Sequence, residues 1–184
     1  MQGTIFTVLS EMVIEKLGFM MWDEVLLEVQ PASGGSYTAG EVYEDEELLS
    51  LVACLSRKTG IPVTQLVESY GEYLFSHLYK SLPSSMQDAK TLRNFLLSID
   101  KIIHKEVKRV HPSAYLPSFD YDENTPNKLV MFYSSKRKLC HAAVGLIKGA
   151  STQFNEPVSV AHTQCMHDGA DRCRLEISFT ESSS

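Results

Sequence analysis

Apolar positions along this chain recur first at helical and then at strand spacing, and the period changes just after His111-Pro112. Residues 4 to 17 set Ile5, Val8, Leu9, Met12, Val13 and Leu17 three or four apart, the signature of one buried helix face, and Gly18 ends the run. A second helix is predicted from Trp22 to Val29. The stretch Gln30 to Gly40, dense in Pro, Ser and Gly, reads as a surface loop. Asp45 with Leu48, Leu49, Leu51, Val52 and Leu55 opens a third helix that should end at Gly60. Pro62 then opens a fourth through Tyr79, since proline is tolerated in a first helical turn. This helix is rich in aromatics (Tyr70, Tyr73, Phe75, Tyr79), which ordinary core packing would explain.

Residues 91 to 110 make one or two further helices, with Leu92, Phe95 and Leu96 followed by an apolar stripe of Ile99, Ile102, Ile103, Val107 and Val110. Beyond them, Ser118 to Asp122 and Asn127 to Ser134 read as strands around the turn Glu123-Asn124-Thr125-Pro126. Residues 139 to 154 form a helix, and Val158 to Gln164 and Arg172 to Thr180 a second hairpin around Asp168-Gly169; the tail Glu181 to Ser184 is expected to fray. Helices first and two hairpins with a helix between them afterwards predict an α+β domain with a four-stranded antiparallel sheet.

Length and charge narrow the function classes. A chain of 184 residues fits a single domain able to enclose a flat cofactor, here about 1–90 as a helical part and about 91–184 as a second part bearing the sheet. A net charge of −6, with no basic patch interleaved with aromatics, argues against nucleic acid. Residues 1 to 13 are apolar but lack a basic leader and include Glu11, and no apolar run is long enough to span a bilayer, so a soluble cytoplasmic protein with no membrane partner is expected.

Two constellations carry chemistry. The first pairs His104, at the border of its helical stripe, with Tyr133-x-Ser135-x-Arg137. If extended, those three residues point one way, and a guanidinium fork with two hydroxyls suits carboxylates. Taken alone, His104 also fits a surface or helix-capping histidine, and the Y-x-S-x-R run the solvated face of a strand. The second is Cys140, His162, Cys165 and Cys173, spaced C-x21-H-x2-C-x7-C, able to meet at one end of the sheet as a closed zinc site. A Cys165–Cys173 link across the hairpin and free thiols are the competing readings. His167 is a possible substitute ligand, and Cys54 reads as a small buried hydrophobe. A thiol hydrolase using Cys140 and His141 is disfavoured, because adjacent helical residues diverge by about 100°.

A helical histidine with a downstream Y-x-S-x-R resembles the H-NOX family, the heme nitric oxide/oxygen-binding domains related to the sensor of soluble guanylate cyclase. The opening Met1-Gln2-Gly3-Thr4-Ile5-Phe6 and the pair Leu116-Pro117 are similar to that family as well. The resemblance implies heme b between the two parts of the domain, His104 as its iron ligand and Tyr133, Ser135 and Arg137 as propionate partners. It further implies a heme pocket of Ile5, Leu9, Leu74, Leu78, Pro117 and Leu146, with Ile5 and Pro117 pressing on the macrocycle. Zinc at the Cys/His set is implied by some bacterial members.

Oxygen-binding members carry a distal tyrosine on the helix after the motif; here that helix begins Leu139-Cys140-His141-Ala142-Ala143 and has none, so a nitric oxide sensor that excludes oxygen and also takes carbon monoxide is expected, with His141 as the one reservation. The expected output is not catalysis but regulation of a separate histidine kinase or cyclic-di-GMP enzyme when the iron bond to His104 breaks. The alternative is a zinc-thiolate redox switch without heme.

Overall fold

A computed structural model describes residues 1–112, 114–125 and 127–180; Pro126 of the predicted first turn and the tail 181–184 lie outside the described residues. Helices α1 (Gly3–Leu17), α2 (Phe19–Val29), α3 (Asp45–Thr59) and α4 (Val63–Ser81) fill the first half. α2 begins three residues before the predicted start. Gly18 at φ 92° turns the chain in a single residue, which lets the helix restart at once and leaves Phe19 and Met20 in solvent.

α5 (Leu92–Ser98), a π-helical turn (Ile99–Ile103) and α6 (His104–Val110) follow in one run. The π turn corrects the predicted stripe. Its i→i+5 bonding takes more residues per turn than the wheel assumes, so the stripe slips. Ile103 is buried, while Ile102 is 52% and Val110 63% exposed.

Strands β1 (Ser118–Thr125) and β2 (Lys128–Ser134) make the first hairpin, α7 (Cys140–Phe154) crosses, and β3 (Val158–Gln164) and β4 (Cys173–Phe179) make the second. All pairs are antiparallel, in the order β1-β2-β4-β3, so the hairpins lie side by side with β2 and β4 at the centre. β1 runs three residues past the predicted end through a register shift between Asp122 and Thr125, where backbone pairing outweighs a polar sequence.

Two cores result. One gathers Phe6, Leu9, Val13, Val25, Leu51 and Leu55 from α1 to α3 with Tyr70 and Leu74 of α4. The other packs α5 and α7 on the inner face of β2 and β4, where Leu129, Met131, Leu175 and Ile177 alternate with outward residues. α4 and α7 join them at close range: a Cβ on Gly71 would meet the Ala142 carbonyl, and one on Gly145 the Glu68 carbonyl. Among the described residues no helix is long and apolar enough to cross a membrane.

Candidate cofactor site

Between the two cores lies a cavity of about 370 Å³ walled mainly by apolar side chains. α1 contributes Ile5, α4 contributes Tyr70, Leu74 and Leu78, α7 contributes Ala142, Ala143 and Leu146, and the segment before β1 contributes Leu116 and Pro117. His104, Tyr133, Ser135 and Arg137 reach the same space. Leu9 does not line it: one turn beyond Ile5 on α1, it is 1% exposed and belongs to the helical core.

His104 stands where the π turn passes into α6, and its side chain is 17% exposed. Asp100, four residues earlier, lies 3.3 Å from Nδ1. Burial lowers the imidazole's pKa and Asp100 opposes the shift, with a net result below the ordinary value. A neutral ring with Nδ1–H donated to Asp100 leaves the Nε2 lone pair for a ligand, which is the arrangement of a metal-binding histidine with a carboxylate behind it.

The clamp differs from the extended strand its alternation suggested. β2 ends at Ser134, and residues 135–138 turn, with Lys138 N donating to Ser135 O at 3.1 Å and Lys138 at φ 50°. Tyr133, buried on the strand, accepts from Leu139 N at 2.9 Å through its hydroxyl, and burial pushes its pKa up to about 12. Ser135 Oγ accepts from Arg137 N at 3.2 Å. Arg137 Nε is paired with Asp45, the first residue of α3, and its Nη1 donates to Tyr115 O at 2.7 Å. Burial raises the Asp45 pKa, but Arg137 and the Met1 amino group outweigh it and the carboxyl sits below its usual range. The three residues therefore converge through a turn, and a carboxylate 92 positions away in sequence holds the fork.

His141 is directed elsewhere. Its ring lies 5.3 Å from that of His162 and 6.1 Å from that of His167, and it is absent from the cavity wall, so the helix after the clamp gives the cavity apolar residues only.

Cys140 at the start of α7, His162 on β3, Cys165 after it and Cys173 opening β4 bring their ligating atoms within 4.8 Å of one another. All four cysteines of the chain are free thiols, Cys54 being fully buried. His162 Nε2 is buried with no hydrogen-bond partner among the described residues. Such an atom is costly unless something accepts its lone pair, and three facing thiols make a divalent cation that partner. Burial first, then the neighbouring thiols, push Cys140 up, which a cation would reverse. His167 stands outside the set, with Nε2 2.8 Å from Lys138 O.

The family model described as Haem-NO-binding matches residues 2–162. The chain belongs to that family. Solved H-NOX structures superpose over its whole length. The H-NOX protein from S. oneidensis in the Fe(II)NO state is 30% identical, with 98% of this chain and 100% of that one covered at TM-score 0.91. The Fe(II) unliganded H-NOX protein from K. algicida is 32% identical, covering 100% and 99% at TM-score 0.92. Soluble guanylate cyclase gcy-35 of Caenorhabditis elegans is 28% identical over 169 residues, 89% of this chain but 24% of that protein. The H-NOX chain thus spans about a quarter of the curated relatives it matches.

H-NOX domains bind heme and sense gases, and the cavity has the apolar walls and polar corner such a group needs. In the sequence Asp45 reads only as the start of the third helix, and Asp100 carries no reading of its own. Asp100 lies four residues before His104, a spacing that signals contact on a helix; Asp45 has no local signal at all.

Proposed function

We propose that this chain is a heme-based nitric oxide sensor that excludes oxygen. The observation that carries the reading is His104: a neutral imidazole, braced on one nitrogen by Asp100, facing an apolar cavity. Tyr133, Ser135 and Arg137 are read as the propionate corner, Arg137 dividing its fork between a propionate and Asp45. Ile5 and Pro117, which line the cavity from α1 and the segment before β1, would bear on the macrocycle. Held by His104 and the Tyr133, Ser135 and Arg137 corner, heme b would supply a ferrous iron able to take nitric oxide or carbon monoxide. Oxygen gains from a distal donor, whereas nitric oxide does not need one, and the walls from α4 and α7 offer none that is free. His104 would hold the iron from α6, so a change at that contact on gas binding would free α6 and could be read by a separate enzyme, a histidine kinase or cyclic-di-GMP enzyme.

Cys140, His162, Cys165 and Cys173 are read as a zinc site of the same domain, supported by the orphaned His162 nitrogen. If that site acted alone, the chain would be a zinc-thiolate redox switch. Spectra of the reduced protein, anaerobic, in air and with nitric oxide, beside a His104→Gly variant, separate the two. A Soret band that ignores air, responds to nitric oxide and is lost or shifted in His104→Gly is expected. Zinc without any Soret band would overturn the heme reading.

A further inference from the structure

Tyr70 lines the cavity from the middle of α4 yet is only 4% exposed, and its hydroxyl donates to the carbonyl of Ile5 at 2.5 Å. Ile5 lies in the first turn of α1. The loop before α3 fixes the other side of that turn: Gly3 N donates to Glu41 O at 2.8 Å and Thr4 Oγ1 to Ala39 O at 3.2 Å, and a Cβ on Gly3 would strike the Thr38 carbonyl. The start of α1 is therefore held between the loop and Tyr70.

One turn of α4 does three things. Tyr70 reaches α1, Gly71 lies against the Ala142 carbonyl of α7, and Leu74 enters the cavity. α4 sends three hydroxyls to the cavity wall, and each donates to a backbone carbonyl: Tyr70 to Ile5, Tyr79 to Gln87 and Ser81 to Leu78. Tyr79 and Ser81 bond within their own stretch of chain. Tyr70 alone of the three ties α4 to another element of the cavity wall, across 65 residues of sequence. Burial pushes its pKa far above the ordinary value, so the phenol is a neutral donor whose hydroxyl must find an acceptor.

We propose that Tyr70 is a positioning residue: its bond to the Ile5 carbonyl sets how far Ile5 reaches into the cavity, and, spent there, the hydroxyl leaves α4 with no donor for a bound gas. The inference rests on the reading of the cavity as a heme site, and it adds a residue that fixes the pressure on the macrocycle while offering a bound gas no donor. Removing the hydroxyl alone keeps the ring and its packing. It frees Ile5 without adding a donor, so heme shape should change while oxygen exclusion should not.

The test uses the heme-loaded protein and its Tyr70→Phe, Ile5→Ala and double variants, read by resonance Raman out-of-plane porphyrin modes, by oxygen binding in air and by heme transfer to apomyoglobin. Tyr70→Phe should weaken the out-of-plane modes about twofold and change the heme-loss rate in the same direction as Ile5→Ala. It should add nothing in the Ile5→Ala background, because coupled residues are not additive. No variant should form a stable oxygen complex. Modes unchanged in Tyr70→Phe, full additivity in the double variant, or an oxygen complex of the unaltered protein that Tyr70→Phe abolishes would each overturn the proposal. Should Tyr70→Phe not fold, the 13C shift of the Ile5 carbonyl in the unaltered protein decides, since a value matching the other first-turn carbonyls of α1 would refute the bond. An unaltered protein that takes up no heme defeats the function reading itself, whereas one that takes up heme with modes indifferent to Tyr70 defeats this inference alone.

Discussion

Gly145 on α7 tests whether the close approach of α4 and α7 holds the cavity together. A Cβ there would lie 1.9 Å from Glu68 O and 2.8 Å from Glu72 N, both backbone atoms that no rotamer change can move aside. Reaching ordinary contact in Gly145→Ala needs the helices to part by roughly 1.5 Å, and a radial gap near 1 Å already forfeits up to half of a dispersion well. Overpacking of this kind costs about 1–3 kcal/mol, and a rigid backbone contact belongs at or above the upper end. Alanine returns at most about 1 kcal/mol through helix propensity, because Gly145 is helical and pays that penalty now. The net loss is about 2 kcal/mol, or about 4–8 °C in Tm for a domain of this size. Differential scanning calorimetry of the metal-free, heme-free chain measures it. Leu74 and Leu146 sit on the two helices that would separate, so heme loss should quicken as well. A Tm equal to or above that of the unaltered protein would refute the close-packed seam and the cavity width derived from it.

Asp45→Asn should cost up to about 1 kcal/mol at pH 7, since the pair with Arg137 is partly exposed. Because the folded pKa of Asp45 is depressed, its contribution is present above the ordinary carboxylate value and is lost as the pH falls through the folded one; the gap in Tm between the two proteins should close on acidification below about pH 4. At the other extreme Tyr133, Tyr70 and Tyr121 have raised pKa values through burial, so their stabilisation is complete below about pH 10 and lost as pH rises above it; tyrosinate absorbance should lag the denatured protein and then appear together with unfolding. His162→Ala should weaken zinc retention against a chromophoric chelator by at least about tenfold while costing the metal-free protein little, since Nε2 has no other partner. A large cost in the metal-free state would mean that the imidazole is satisfied in some other way.

The sequence pattern locates helices and strands within a few residues because the two periods are carried by strong apolar positions, such as Val8, Leu9 and Val13 on α1 and Leu129 and Met131 on β2. It failed where local backbone geometry departs from the ideal. The stripe through Ile102 and Val110 was drawn on a wheel of constant pitch, and the π turn at Ile99–Ile103 moved both residues to the surface. The alternation Tyr133-x-Ser135-x-Arg137 suggests a straight strand, while β2 ends at Ser134 and residues 135–138 turn, so the three reach the cavity from a strand end and a turn. Leu9 was placed with Ile5 because a resemblance fixes positions but not their depth. Asp45, Tyr70 and the thiol set with His162 depend on contacts across tens of residues, which periodicity does not carry; only spacing made the thiol set visible.

The π turn passes directly into His104. α6 has no buried residue, and it is held through Ile99 and Ile103 of the π turn, the half-buried Val107 and the ring of His104 itself, which packs 5.6 Å from Phe119. An element with so few buried contacts lies at the low end of the range of local stabilities, so one added or removed bond of a few kcal/mol at His104 is a large share of what holds it. On the other side, Tyr70, Gly71 and Gly145 lock α1, α4 and α7 at backbone distance. A rigid wall on one side and a lightly held helix on the other confine any strain from the cavity to the helix. The Cys/His set borders that same rigid side, since Tyr133 pairs with Cys173 across β2 and β4 and Cys140 begins α7. A metal held there would stiffen the clamp turn between Ser135 and Leu139, and would leave α6 as the segment free to move.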